Sequence, residues 1–221
     1  MNFVSIYLKY VSYHSIQNLT AMARPRQFDA QTALSAAQDA FWAKGYNATS
    51  TRELTQAMGL TQPSLYNAFG DKRTLFLQAL EDYLNHTLRE RIARLEGTLP
   101  PAQALEAFFA ESIERGVSDP QHRGCMLINT ALDASADDPE LAAIVAEELT
   151  TLGHFFERTI RAGQADGTVD PTLTARDVAA TLLSVQIGLR VMSRVMPDRA
   201  LLEASVRPVL ALLGRKPRGT T

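Results

Sequence analysis

Polar side chains that donate and accept hydrogen bonds are concentrated between residues 62 and 67. Gln62 and Asn67 carry amides and Ser64 carries a hydroxyl, while Pro63 adds a small apolar surface. Amide side chains form paired hydrogen bonds with adenine, and an apolar group can contact the methyl group of thymine. These four residues therefore have the chemistry of a surface that contacts base edges in a DNA groove, provided that the chain presents them together.

Two short helices are predicted to position these residues. Residues 50–53, with the sequence STRE, fit the S-x-x-E capping box at a helix start. Gly59 ends this helix because glycine accepts the left-handed conformation of a helix C-terminus. Thr61 is the predicted N-cap of the second helix, whose buried side holds Leu65 and Phe69. Two helices joined by a tight glycine turn form a helix-turn-helix, whose second helix reads the major groove.

Cationic and hydroxyl side chains beside the two helices have the chemistry to bind phosphate. We expect Tyr66 and Lys72 to hold phosphates of the DNA backbone. Thr49 and Thr51 flank the start of the first short helix, where hydroxyls and free amides bind phosphate readily. Capping of the helix is the alternative role for both threonines, and the two roles are compatible.

The distribution of charge agrees with a nucleic-acid contact in the N-terminal part. The whole chain has a net charge of −2, but residues 1–95 carry 10 basic against 7 acidic residues and residues 96–221 carry 12 against 17. Arg24 and Arg26 precede the first predicted helix. They could form a basic arm that reaches phosphates or the minor groove, with a solvated tail as the alternative.

Residues 45–76, GYNATSTRELTQAMGLTQPSLYNAFGDKRTLF, resemble the DNA-binding domain of the TetR/AcrR family of transcriptional regulators. The caps, the turn glycine and the flanking aromatic and basic residues fall in register. Two departures lie on the DNA-facing side: Pro63 replaces a glycine or small residue, and Asn67-Ala68 stands where histidines are common. These departures bear on which operator sequence is read.

The predicted fold is all-α, since no strand-like alternation occurs along the chain. We predict a three-helix helix-turn-helix domain over residues 24–83, joined by one long helix from Lys72 to about Leu95 to a helical domain over residues 84–214. The resemblance implies that this second domain binds an effector and dimerises. Residues 1–23 are expected to be a disordered extension and residues 215–221 a basic tail.

A homodimer is predicted from the C-terminal helices. The helix predicted over residues 172–196 is apolar on two faces, so it needs cover from its own core and from a partner chain. One helix-turn-helix reads only a few base pairs, and such proteins pair to grip half-sites about 34 Å apart. The resemblance implies a four-helix bundle made by residues 139–165 and 174–196 of both chains. The candidate dimerisation residues are Leu152, Phe156, Leu182, Val185, Leu189, Met192 and Met196.

The resemblance also implies a cavity for a small organic effector among the helices after Pro101, coupled to the DNA-binding domain through the long helix. Ordinary core packing is the alternative for the apolar candidates. The candidate ligand-binding residues are Tyr83, Phe108, Phe109, Cys125, Met126, Asn129, Phe155 and Phe156.

Cys125 is the one cysteine of the chain, which excludes an internal disulfide and suits a reducing cytoplasm. If it starts a helix, the helix amides and nearby His122 and Arg123 would favour a reactive thiolate, as in a redox or electrophile sensor. A small buried apolar residue is the alternative.

Other functional classes fit less well. An enzyme would need Cys125 as nucleophile with His122 or His154 as base, but no orienting group or oxyanion donor is identifiable. No metal-ligand spacing and no cofactor motif occur, and no uninterrupted apolar run is long enough for a membrane span. A helical interaction protein that does not bind DNA is a further alternative. We predict a cytoplasmic, homodimeric regulator of transcription, by resemblance a repressor, that a small-molecule effector releases from double-stranded operator DNA.

Overall fold

A computed structural model of the chain describes residues 29–133 and 138–214. These residues form helices and connecting turns, with no strand among them, which confirms the all-α prediction. Arg24, Arg26 and the predicted terminal segments 1–23 and 215–221 lie outside the described residues. The helices are α1 (Ala30–Lys44), α2 (Thr51–Met58), α3 (Gln62–Phe69), α4 (Lys72–Leu84), α5 (Glu90–Thr98), α6 (Pro101–Ser118), α7 (Met126–Asp133), α8 (Pro139–Asp166), α9 (Ala175–Val195) and α10 (Arg199–Leu213), with a π-helical turn (Asn85–Arg89) between α4 and α5.

The helix-turn-helix packs on α1 and on the start of α4. Leu54 of α2 and Leu65 of α3 are fully buried, as is Phe41 of α1. The ring of Phe41 meets the ring of Phe76 on α4 edge-on, with centroids 5.1 Å apart. An aromatic contact of this kind adds to the free energy gained from apolar burial, so α1 to α4 form one packed head.

The predicted linking helix is longer than expected and contains a feature that the sequence did not indicate. It continues from α4 through the π-helical turn into α5 and ends at Thr98. The helix stops before Pro100 and Pro101, because a proline has no N–H to donate within a helix. From Gln31 onward the described helices belong to one compact unit.

The C-terminal core is built around aromatic rings on α6 and α8. Phe108 and Phe109 of α6 pack on Phe155 and Phe156 of α8, with ring centroids 5.1 to 5.7 Å apart. Helix α9 packs along α8 and α6 and closes this core. By length and composition alone Ala175–Val195 could cross a membrane, but core helices of many proteins meet the same criterion.

Candidate nucleic-acid interface and cavity

Side-chain caps fix the start of α2. The Ser50 hydroxyl accepts a hydrogen bond from the Glu53 amide at 3.2 Å, and a Glu53 carboxylate oxygen accepts one from the Ser50 amide at 2.8 Å. Both bonds of the predicted capping box are therefore present. Lys44 of α1 also binds the Glu53 carboxylate, and this contact, together with the bonds from Ser50, lowers the pKa of Glu53 to about 2.

The turn into α3 also follows the sequence pattern. Gly59 has a φ of 64°, in the left-handed region that glycine adopts without strain. The Thr61 hydroxyl accepts a hydrogen bond from the Ser64 amide at 3.4 Å and caps α3, while Asp71 caps α4 in the same way through the Thr74 amide. Three caps within 22 residues thus set the direction of α3.

Helix α3 has one buried side and one open side. Leu65 and Phe69 lie in the core, at 0% and 6% exposure. The predicted base-contacting residues lie on the opposite side, where a hydrogen bond of 3.4 Å joins the Gln62 amide to the Tyr66 hydroxyl. Among residues 29–133 and 138–214 none covers this side, so it can be presented to a groove. Gln62, Pro63, Tyr66 and Asn67 are exposed, and Ser64 is half-buried.

The predicted phosphate-binding residues fall into two groups. Lys72 is half-buried at the first position of α4, with its Nζ 4.5 Å from the centre of the Tyr46 ring, and burial lowers its pKa. Thr51 is half-buried at the first position of α2. Thr49 differs from the prediction because it is buried. Its hydroxyl donates a hydrogen bond of 2.7 Å to the Gly45 carbonyl, a backbone acceptor at the end of α1.

Comparison with known proteins decides the family. A family model described as bacterial regulatory proteins, tetR family, matches residues 33–79, and one described as tetracyclin repressor-like, C-terminal domain, matches residues 101–209. A Bacillus subtilis HTH-type transcriptional regulator, YezE, is 30% identical over 87% of this chain and 100% of its own length. The chain belongs to the TetR family of transcriptional regulators. It is therefore a DNA-binding regulator and not an enzyme.

Two further proteins are similar to this chain. The Escherichia coli HTH-type transcriptional repressor ComR is 28% identical over 77% of this chain and 82% of its own. A cysteine-substituted form of the regulator CifR, in complex with 26-bp double-strand operator DNA, is 32% identical, with a TM-score of 0.78 over 86% of this chain and 100% of its own.

A cavity of about 320 Å³ lies beside the linking helix of this TetR-family chain. Its walls come from α1, α4, α5, α6, α7, α8 and α9, so it touches both the head and the C-terminal helices. The volume is at the lower end of the range for small-molecule sites. Its polar lining includes Trp42, Tyr83, Arg91, Cys125, Gln186 and Arg190.

Of the predicted ligand-binding residues, Tyr83 and Cys125 line this cavity. The Tyr83 hydroxyl donates to Cys125 Sγ at 3.6 Å, and burial raises the pKa of Tyr83. Asn129 instead binds the Arg123 carbonyl at 2.8 Å, and Met126 is buried. Because their rings pack on one another in the core, the four phenylalanines do not line the cavity, contrary to the prediction: Phe108, Phe109, Phe155 and Phe156.

Most of the polar lining residues are not among those that the sequence predicted to bind a ligand. Arginines are usually surface residues, so the sequence did not indicate that Arg91 lines a cavity. A signal did exist on α9, where Gln186 and Arg190 interrupt the apolar stripe that runs from Leu182. A polar side chain at a core position of a helix indicates either a buried hydrogen bond within the chain or a ligand-binding site.

The predicted dimerisation residues differ in their exposure to solvent. Leu152, Phe156, Leu182 and Leu189 are buried within their own chain, so they are not available to a partner. Their regular spacing marks the side of α8 and α9 that faces the chain's own core. Val185 and Met192 are half-buried, and Met196 is exposed.

Proposed function

We propose that the chain is a homodimeric repressor that binds operator DNA through α3 and is released when a small organic effector occupies the cavity. The observation that carries the proposal is the open side of α3, which three side-chain caps hold in place and which no other part of the described chain covers. The repressor name of ComR and the operator complex of CifR support it.

On the DNA, each side chain has a chemical role. Gln62, Ser64 and Asn67 would form hydrogen bonds with base edges, and Pro63 would contact a thymine methyl group. Lys72 would hold phosphate through its charge. The same positioning role is proposed for the remaining candidates, which are Thr51, Tyr66, Arg24 and Arg26.

A dimer is supported by the outer faces of α8 and α9. Ala146 and Thr150 on α8, and Ala180 and Ser184 on α9, are small and exposed. Small side chains let helices of two chains approach closely, since the interaxial distance depends on the residues in contact. Val191 lies farther along the same face of α9 and is exposed. We therefore assign the proposed surface of the four-helix bundle to these exposed residues and not to the buried leucines.

Release by an effector is supported by a direct contact between the cavity and the head. Trp42 belongs to α1 and lines the cavity, and the Arg123 guanidinium lies 3.9 Å from the centre of its ring. Arg123 also pairs with Asp39 of α1 at 2.7 Å. An occupant that moves Arg123 or Trp42 would therefore shift α1 and, with it, the population of dimers whose heads fit the operator.

The test begins with selection of bound sequences from random duplex DNA by the full-length protein. We expect an inverted repeat whose half-sites lie about one or more helical turns apart, because a symmetric dimer reads a symmetric site. Asn67→Ala should relax the preference at one position of each half-site, whereas Gln103→Ala, an exposed change on α6, should leave the sequence preference unchanged. Enrichment of no sequence at all would refute the proposal. A reporter placed behind the selected operator then measures the direction of regulation.

A second candidate signal is covalent modification of Cys125. Its sulfur is at the cavity wall beside the Tyr83 hydroxyl, and it is half-buried immediately before α7. Operator binding should then be lost on treatment with an oxidant or electrophile and kept in Cys125→Ser. Equal loss in both proteins would exclude this sensor and leave release by a reversible ligand.

A cytoplasmic location follows from the proposed action on operator DNA.

A further inference from the structure

The cavity holds more positive charge than its own residues neutralise. Arg91, Arg115, Arg123 and Arg190 line it, against one carboxylate, Asp119. That carboxylate already pairs with Arg123, at a distance of 3.2 Å from its Nε. No carboxylate of residues 29–133 or 138–214 lies within 4.0 Å of the other three guanidinium groups.

Two of these arginines are almost fully buried, with 6% exposure for Arg91 and 7% for Arg190. Arg190 donates to the backbone carbonyls of Ser112, at 2.9 Å, and Gly124. Arg91 has weaker partners, because its Nη1 lies 3.3 Å from the Ser112 hydroxyl and its guanidinium stacks 4.0 Å from the Phe108 ring centre. Its buried Nε has no hydrogen-bond partner. A buried charge in this state is costly unless an anion joins it.

The charge of Arg91 persists at neutral pH despite this cost. Burial lowers its pKa to about 10, and the neighbouring charges of Arg115 and Arg190 add to this effect. A second buried polar atom on the cavity wall, the side-chain oxygen of Gln186, also has no hydrogen-bond partner. The cavity wall of the described chain therefore holds both a donor and an acceptor without a hydrogen-bond partner.

We propose that the effector is a small organic carboxylate whose anionic group binds between Arg91 and Arg190. This inference rests on the proposed function as an effector-released regulator. A guanidinium matches a carboxylate in shape and forms paired, charge-assisted hydrogen bonds with it. The remaining wall includes Leu88, Leu152 and Ile187, which would contact a carbon skeleton. An inorganic anion would leave that apolar wall without a partner.

The test uses Trp42, which is the one tryptophan of the chain and lines the cavity. Its fluorescence is followed while the full-length protein is titrated with benzoate, phenylacetate, salicylate and hexanoate, each beside its primary amide, and with phosphate and sulfate. At least one carboxylate should bind roughly tenfold or more tightly than its amide, as a charged hydrogen bond requires. Equal binding by the amides, equal binding by the inorganic ions, or binding by no carboxylate would overturn the inference.

Variants of Arg91 separate binding from folding. Arg91→Gln should weaken binding of the preferred carboxylate roughly tenfold or more and raise the Tm of the unliganded protein, because it removes a buried charge. Arg91→Lys, which keeps the charge and loses the planar fork, should bind with intermediate affinity. Arg94→Gln is the control, since Arg94 is exposed and pairs with Glu111 at 2.7 Å. Unchanged carboxylate affinity in folded Arg91→Gln and Arg91→Lys would overturn the assignment.

Operator binding by the same proteins distinguishes the two proposals. If the wild-type protein selects no operator, the proposed function fails while carboxylate binding stands. If a neutral compound releases the operator and carboxylates do not, the regulator stands and the present inference fails.

Discussion

The Arg73 guanidinium on α4 binds both carboxylate oxygens of Asp138 at the start of α8, with N–O distances of 2.7 and 2.9 Å. A second acid of α8, Glu140, lies 2.7 Å from the same guanidinium. Arg73 follows the predicted phosphate-binding Lys72 by one residue, so this cluster ties the start of α4 to the start of α8. The Arg73 contacts hold the pKa of Asp138 below its usual value.

Arg73→Gln should therefore lower both stability and operator affinity. We expect a loss of about 1 kcal/mol in the free energy of unfolding, because the pair is partly exposed. Chemical denaturation measures this loss, and Arg158→Gln, which breaks a more exposed pair with Glu96, should cost less. If the two variants are equally stable, Arg73 is an ordinary surface residue.

Glu53 makes the start of α2 sensitive to acid. Its folded-state pKa of about 2 lies below the unfolded value of 4.5, so its stabilising effect is present above about pH 4.5 and is lost as the pH falls toward 2. The Tm of Glu53→Gln should lie below that of the wild type at neutral pH, and the two should converge in that window. Glu147→Gln, an exposed change on α8, is the control. A constant difference between wild type and Glu53→Gln from pH 5 to pH 2 would contradict the capping role.

Substitutions of Lys72 and Asn67 should have different effects on the salt dependence of operator binding. Each phosphate contact contributes about 0.9 to the slope of log affinity against log salt concentration, so Lys72→Ala should weaken binding to all sequences and reduce the slope by roughly that amount per chain. Asn67→Ala should keep the slope and lose discrimination at one base pair. Filter-binding titrations between low and physiological salt measure both. Identical slopes for wild type and Lys72→Ala would refute the phosphate role.

The proposed dimer surface on α9 can be tested by introducing one charged side chain. Val191→Asp should give a folded monomer, because this side chain is 40% exposed within its own chain and a carboxylate there would oppose its symmetry mate. Light scattering measures the mass, and operator affinity should fall with it because one head reads only a half-site. Gln103→Asp adds the same charge on α6 and should remain dimeric. A wild-type protein that is itself monomeric would exclude the proposed bundle.

Replacing each of two helical glycines with alanine should change the stability of the protein in opposite directions. Gly97 has open space around it, so Gly97→Ala should stabilise the protein by about 0.5 to 1 kcal/mol. A methyl group at Gly116 would lie 2.6 Å from Cβ of Ser193, so Gly116→Ala should destabilise it by about 1 to 3 kcal/mol. Thermal unfolding of the two variants side by side measures both signs.

Local signals made the head predictable. Ser50, Glu53, Gly59 and Thr61 act on backbone groups within three or four residues of themselves, so each role can be read from neighbouring letters. Thr49 was the exception, because its partner is the end of α1, a tertiary relationship that the local pattern does not contain.

The cavity and the proposed dimer surface depend on contacts between distant residues. Arg91 and Arg190 are 99 positions apart, and the packing of both α5 and α9 against α6 brings them to one cavity. The leucine spacing on α9 identified a buried side correctly but did not indicate whose core it faces. The small exposed residues on the other side carry a weaker pattern, since alanine and serine are also common on solvated helices.

The unbroken linking helix has a mechanical consequence. Lys72 to Thr98 spans 27 residues, a rod of about 40 Å at 1.5 Å per residue. A tilt of about 5° around its Thr98 end would carry Lys72 through roughly 3.5 Å, which is close to one base-pair step along DNA. In the proposed regulator, a ligand in the cavity would therefore move the DNA-binding head out of register with the groove by a small tilt of this helix.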